Sequence, residues 1–467
     1  MKKLLLTISL AGSCLLYNGI LYAQQQTAPN IIIILADDLG YSDVGFNGSK
    51  DIPTPGIDRI AKNGVTCTNG YVSFAVCGPS RAGLITGRYQ DRFGFSRNPL
   101  YAPKDSTMGL PSSEQTMAAL LKGAGYRTGI LGKWHLGTHP SQHPNRKGFD
   151  EFYGFLDGGH HYFPELLVLR DHTESRSQND GYKTKLIRNQ QVAEETEYLT
   201  DAFSREAVQF VKSNAQQPFF LYLAYNAPHT PMQASENYLQ RFSHIKDPKR
   251  RTYAAMVSAM DDGINALLNT LEELKLDDNT LIFFLSDNGG PTNDNASNNK
   301  PLRGAKGGYY EGGIRVPFAV QWKGVLPAGK VYDMPVISLD IFATAAALTK
   351  QQPINPIDGV NLLPYLTGTE KSPPHKALYW RGPRKELYAI RTVEDKLIIQ
   401  EGSTELFDIR MDKEEKNNRA GSAGAALPAL EQLLAAWKKG LVPPAFLGLL
   451  ENEEYNKLHP DRFNFKK

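Results

Sequence analysis

The sequence predicts an α/β fold whose buried parallel strands carry the functional groups, with a smaller antiparallel sheet plus helix at the C-terminal end. Three observations lead there. Continuous apolar runs at residues 31–35, 219–225 and 281–285 each end in a polar turn, and runs without alternation belong to strands covered on both faces. Segments of helical period stand between them, as crossover connections require. After about Lys350 the strands become short and are separated by turns, the texture of a small antiparallel sheet packed on the main core.

Taken in order, the first 23 residues open with Lys2 and Lys3, run through an apolar stretch and reach Leu21-Tyr22-Ala23 before Gln24. That layout is a secretory signal peptide, too short and too interrupted for a membrane span, so the expected location is the periplasm or the outside, with no stable membrane insertion. Lipoprotein anchoring at Cys14 is disfavoured, because Ala11-Gly12-Ser13 lacks the leading Leu. Residues 30–35 then form a buried strand that ends in Asp37-Asp38. Acids in that position are ligands or catalysts more often than turn caps, since open α/β sheets bind at the carboxyl ends of their strands. Residues 53–69 read as a loop plus a helix starting at Thr54-Pro55.

In Cys77-Gly78-Pro79-Ser80-Arg81 the proline marks a first helical turn, and Gly87 can stop the helix. Cys77 then lies at the positive end of a helix dipole, which favours a nucleophile and an anionic group together. Only 3 cysteines occur. A Cys67–Cys77 bridge would consume the residue around which the site is built. Residues 113–125 read as a helix and 126–131 as a strand followed by Gly132-Lys133-Trp134-His135-Leu136-Gly137. On an extended chain Lys133 and His135 would share a face. The strand at 219–225 leads to Asn226-Ala227-Pro228-His229, whose proline turns His229 outward. Residues 252–274 form an amphipathic core helix. The strand at 281–285 ends in Ser286-Asp287-Asn288, followed by a polar loop over 291–299. The glycine-rich loop around Lys306 lacks the spacing of a nucleotide-binding loop. Short strands at 378–380, 387–390, 396–399 and 405–409 and a helix at 426–438 complete the chain. The expected division is a signal peptide at 1–23, a catalytic domain at 24–350 and a C-terminal subdomain at 351–467.

The bulk numbers constrain partners. With 467 residues, 41% of them hydrophobic, the chain can bury a large core and more than one domain. A formal net charge of +3 leaves no nucleic-acid footprint, so any pull on anions has to be local to a site. Asp37, Asp38, Asp287 and Asn288 offer only oxygen, which suits Ca²⁺, or Mg²⁺, and not zinc. A thiolate at Cys77 would be a poor companion for such a hard cation, whereas an oxygen group there would not.

These motifs together, from the aspartate pair through CGPSR, GKWHLG, NAPH and SDNGG to RGAKGGYYEGG, stand in order from Asn30 onward. The chain resembles the type I, formylglycine-dependent sulfatases of the alkaline phosphatase-like superfamily, in particular bacterial periplasmic polysaccharide sulfatases. The resemblance implies a large mixed, mostly parallel sheet flanked by helices. It implies that a maturation enzyme converts Cys77 to formylglycine, whose hydrate is the nucleophile and a metal ligand beside Asp37, Asp38, Asp287 and Asn288. By position, Arg81 would hold the hydrate, and Lys133 and Lys306 would clamp sulfate oxygens. His229 would protonate the leaving alcohol, and His135 would assist elimination of sulfate. The expected substrate is a sulfated carbohydrate, met by the aromatic, histidine-containing loop at His160 and His161, by Arg170, and by Trp380 and Arg381. A promiscuous arylsulfatase, a phosphonate or phosphodiester hydrolase on the same scaffold, and a non-catalytic sulfated-glycan binder are the alternatives; the last should have lost some of these ligands, and none is missing.

Overall fold

The computed structural model describes residues 28–383, 386–422 and 424–465; the signal-peptide reading of residues 1–23, Cys14 included, lies outside them. No helix among the described residues is long and apolar enough to cross a membrane. The core is a 10-stranded sheet, mixed but parallel at its centre. Strand β1 (Asn30–Ala36) lies in the middle. The helix Cys77–Thr86, named α1, follows it in the chain, then the strands β2 (Arg127–Lys133), β3 (Phe219–Ala224) and β4 (Thr280–Ser286). β1 pairs in parallel with β3 on one side and β4 on the other, and β2 pairs with β3.

The unbroken apolar runs have the physical reason the sequence suggested. Ile31, Ile33 and Leu35 pack into one core and Ile32, Ile34 and Ala36 into a second on the opposite face. α1 helps to cover the first face, while helices Leu199–Ser213 and Pro248–Glu273 cover the second. The fully covered sheet leaves only its ends free for chemistry.

Several boundaries differ from expectation. The long helix begins at Pro248, where Asp247 Oδ1 accepts the Lys249 N–H at 2.9 Å, so the aspartate-proline cap extends it by a turn before Thr252. The helix expected over 113–125 is confined to Met117–Gly123, because Thr116 caps it by accepting the Ala119 N–H at 3.1 Å. The stretch read as loop plus helix ends in a strand, Val65–Cys67, which pairs with Phe318–Gln321 and extends the sheet. Helices Leu199–Ser213 and Leu339–Thr349 had no counterpart in the sequence reading.

The C-terminal strands Leu378–Arg381, Leu387–Arg391, Asp395–Gln400 and Ser403–Asp408 form an antiparallel sheet of 4 strands in chain order. Helix Ala426–Lys438 packs on it through Leu430, Leu434 and Trp437. After this helix the chain returns to the main body. Val442 N donates to Asp91 O at 3.0 Å, Leu449 N to Asn98 O at 3.0 Å, and Arg462 Nη2 to Tyr101 O at 2.8 Å.

Candidate active site

The register of three parallel strands assembles the site. Ala36 stands opposite Ser286, and Leu35 opposite Ala224, so the turns that follow β1, β3 and β4 leave the sheet at one edge. The ladder runs one step further: Asp287 N donates to Ala36 O and Asp37 N to Ala227 O, both at 3.0 Å. Asp38 then turns in the left-handed region at φ 68°, which an aspartate tolerates better than most residues. α1 arrives from the side, with Cys77 as its first residue and Val76 extended before it. Asn98 Oδ1 accepts the Gly78 N–H at 2.8 Å and fixes that helix start.

One ligand atom from each of Asp37, Asp38, Cys77 and Asp287 lies within 4.8 Å of all the others, and all four residues are buried. Asn288 Nδ2 donates to Asp38 Oδ1 at 2.7 Å, which leaves its Oδ1 buried without a partner. Cations surround this group. Lys133 Nζ is 2.6 Å from Asp37 Oδ2, Lys306 Nζ is 2.7 Å from Asp38 Oδ1, and Arg81 Nε donates to Asp287 Oδ2 at 2.9 Å. Arg81 also reaches Lys133 O at 3.2 Å. His229 Nδ1 lies 2.6 Å from Thr230 O, so it carries the proton. Its Nε2 faces the cluster, 3.6 Å from Asp38 Oδ2.

Burial alone would raise the Asp37 carboxyl, but Lys133, His229, Arg81 and Lys306 hold it well below the usual carboxylate range. Asp287 is pushed up to about 6 by burial and by repulsion from Asp37, against the pull of Arg81. Burial, Asp287 and Asp37 push the Cys77 thiol far up, so at neutral pH it stays protonated, and it donates to Asp37 Oδ1 at 3.4 Å. A protonated thiol is a poor nucleophile and a poor ligand. His135 is driven well below its ordinary value by burial and by the Lys133 and Arg81 charges. Burial also lowers His229, with Asp37 and Asp38 acting against it. Three crowded carboxylates and one unpaired amide oxygen fit a hard divalent cation, which would relieve the repulsion and use the orphaned Asn288 Oδ1.

Lys306 is held from outside the main sheet. Arg303 Nη1 donates to Glu415 O at 2.9 Å and Glu311 N to Glu415 Oε2 at 2.7 Å, so one C-terminal residue grips its loop on both sides. Lys396 Nζ lies 2.9 Å from Glu311 Oε1 and 2.8 Å from Glu415 Oε1, and all three side chains are fully buried. Lys396→Met leaves two buried carboxylates without their shared counter-charge. It is expected to lower unfolding stability by about 3–5 kcal/mol in a urea titration. Adding Glu415→Gln should restore part of that loss.

The remaining sequence-predicted residues divide. Lys133 ends β2, but His135 has φ 57°, so the two do not share the face of one extended strand as expected. His135 still lies close enough to the cluster for the charges of Lys133, Arg81 and Asp37 to act on it. His160 is 0% exposed, stacked on Phe155, with both ring nitrogens bonded to the carbonyls of His161 and Thr184. Trp380 is 0% exposed and donates to Val72 O at 2.7 Å. Neither has surface left for a ligand, and both are corrected to core residues. His161 Nδ1 pairs with Gln233 Nε2 at 3.1 Å, and Arg381 is tied to Val442 O at 2.8 Å. Arg170 is exposed and lines a separate cavity of about 340 Å³ that also contains Asp157. Asn295 escaped notice, although its Nδ2 braces Asp38 O at 3.1 Å and Pro228 O at 3.3 Å. It sits in the polar loop at 291–299, where many amides look alike in sequence.

Residues 29–351 match the family model described as Sulfatase. The human N-acetylgalactosamine-6-sulfatase is 37% identical over 355 residues, covering 72% of this chain and 66% of that protein. The human steryl-sulfatase is 32% identical over 433 residues, covering 75% of this chain and 72% of that protein. Among solved structures, Ps i-CgsB in complex with k-i-k-neocarrahexaose superposes with a TM-score of 0.86 at 40% identity, covering 94% of this chain and 100% of that one. The PsFucS1 sulfatase from Pseudoalteromonas sp. follows with a TM-score of 0.77 at 26% identity, covering 90% and 91%.

Proposed function

Because the chain belongs to the sulfatase family, we propose that it hydrolyses O-sulfate esters on sugars of sulfated polysaccharides at the cluster of Asp37, Asp38, Cys77, Asp287 and Asn288. The observation that carries this reading is the anion site itself. Three carboxylates and a free amide oxygen suited to a hard cation are flanked by Lys133, Lys306 and Arg81, with the His229 Nε2 directed at them. The relative named N-acetylgalactosamine-6-sulfatase favours a galactose-configured sugar here, and the neocarrahexaose in complex with Ps i-CgsB favours an oligosaccharide. The steryl-sulfatase likeness favours a second reading, a broad specificity that includes aryl sulfates.

Formylglycine at position 77 would supply an aldehyde hydrate, an oxygen nucleophile able to expel sulfate by collapse to the carbonyl, and Ca²⁺, with Mg²⁺ as the alternative, would make it more acidic. The chain's own residues do the rest. Arg81 orients the group at position 77 while pinned to Asp287. Lys133 and Lys306, each within hydrogen-bond distance of a ligand carboxylate, stand where sulfate oxygens would meet positive charge. His229 would deliver the Nε2 proton to the departing sugar oxygen as the imidazolium, the form that Asp37 and Asp38 favour, with Nδ1–H held by the Thr230 carbonyl. His135 takes the proton in the step that releases sulfate. We place the catalytic unit at residues 24–350 and the supporting subdomain at 351–467, with export through the first 23 residues and maturation by a formylglycine-generating enzyme.

The test uses leaving groups of different quality. A sugar alkoxide needs protonation far more than a nitrophenolate does, and general acid catalysis is worth about 10²–10⁴-fold where it is needed. His229→Ala is expected to depress turnover of a sulfated galactose by that factor and of a nitrophenyl sulfate by much less. His135→Ala should affect both more evenly. Equal losses on both substrates for His229→Ala, with chemistry rate-limiting, would assign the proton to another residue.

A further inference from the structure

We propose that the groove beside the Lys306 loop holds the uncharged sugar next to the sulfated one in a glycan chain; this rests on the sulfated-carbohydrate reading above. The groove has a volume of about 400 Å³, within the range of small-molecule sites. One wall comes from the main body, with Val76, Ser96, Arg97 and Tyr310, and the other from the C-terminal sheet and tail, with Gln400, Leu450 and Glu451.

Its position follows from the chain. Val76 immediately precedes Cys77, and Gly307, also in the wall, immediately follows Lys306. Gly307 N donates to Ala75 O at 2.8 Å, which locks these two segments side by side. The groove therefore lies beside the two segments that carry Cys77 and Lys306. A side chain built at Gly307 would meet nothing within 4 Å, so the floor at that junction is open.

The chemistry of the lining selects the occupant. Among the described lining residues, Arg97 and Glu451 are the charged ones, and they cancel. They face each other at 3.4 Å, a loose pair. Arg97 Nε and Ser96 Oγ are buried and have no partner, and Ser96 is 2% exposed. A second sulfate would gain the guanidinium only against the Glu451 carboxylate. A neutral sugar hydroxyl can instead accept from Arg97 and donate to Glu451, making two charge-assisted hydrogen bonds. The apolar part of the lining suits the hydrocarbon face of a pyranose. Leu450 is 78% exposed at the mouth. Tyr310 is set rigidly by a 2.5 Å bond to Glu405 and by Arg303 stacked 3.8 Å from its ring centre.

The experiment compares three substrates: a galactose sulfate, its oligosaccharide with an unsulfated neighbouring sugar, and the same oligosaccharide sulfated on that neighbour. The expected kcat/KM is about 10-fold higher for the chain with the uncharged neighbour than for either other substrate, the worth of one charge-assisted hydrogen bond. Arg97→Gln and the surface change Leu450→Ala should each erode that advantage through KM and leave the monosaccharide rate unchanged. Equal kcat/KM for monosaccharide and chain, a preference for the sulfated neighbour, or variants that keep the full advantage would each overturn the groove assignment alone. Turnover of an aryl sulfate with none of any sulfated sugar would overturn the carbohydrate reading and the groove with it.

Discussion

Cys77→Ala is expected to abolish turnover of every sulfate ester, a loss of at least about 10⁴-fold, as for other enzymes deprived of the nucleophile. The residue is 1% exposed at the start of α1, and its thiol touches Asp37. Burial and two carboxylates favour the protonated thiol, a poor nucleophile, which agrees with the proposed conversion of position 77. Alanine removes the sulfur with little change in packing, and the melting temperature should move only slightly. The complementary measurement is peptide mass spectrometry of active wild-type protein, in which the Cys77 peptide should be lighter than its thiol form. Measurable turnover by Cys77→Ala, or full activity from protein carrying only the thiol, would remove position 77 from the mechanism.

Asp287→Ala is expected to cost activity, bound cation and stability together. Asp287 is a proposed ligand, and it is also the partner of Arg81, with Nε at 2.9 Å and Nη2 at 2.8 Å from the same oxygen. Both side chains are fully buried. Removing Asp287 leaves the buried Arg81 with only Asp37, at 3.6 Å, and losing one member of such a buried pair costs about 3–5 kcal/mol. Elemental analysis and a denaturant titration read the two losses separately. Asp287→Asn keeps the shape and a hydrogen bond to Arg81 while weakening the cation site, so it should fold better than the alanine variant and remain as inactive. Stoichiometric cation in fully active Asp287→Ala protein would refute the ligand assignment.

The expectations that held up in the fold rest on local signals with a direct physical cause. The β1 run could be read because every one of its side chains is covered, and helix α1 because Pro79 and Gly87 bracket it. Helix Leu199–Ser213 was not seen, since its apolar residues are interleaved with Arg205, Glu206 and Gln209, and only packing against Pro248–Glu273 selects its face. At the candidate site, the residues after the three strands could be named because a strand end and a polar turn adjoin in sequence. The grip of Lys396 and Glu415 on the Lys306 loop could not, because it spans more than 80 residues and uses charges that in sequence look like surface. Trp380 and His160 were misjudged for the converse reason. An aromatic or histidine in a turn-rich stretch resembles a binding residue until its ring is found filling a core.

The depth at which Cys77 sits sets an order of events. No second protein can reach a side chain with 1% exposure, so if position 77 is modified as proposed, the modification comes before the chain closes over it. Closure needs Asp287, more than 200 residues further on, because β4 must dock beside β1 before Arg81 and the carboxylates enclose the thiol. The thiol is therefore open to an enzyme throughout synthesis of that intervening stretch, and sealed afterwards. Refolding in a test tube of chains never exposed to the maturation enzyme should thus yield a native but inert protein that later addition of that enzyme does not rescue.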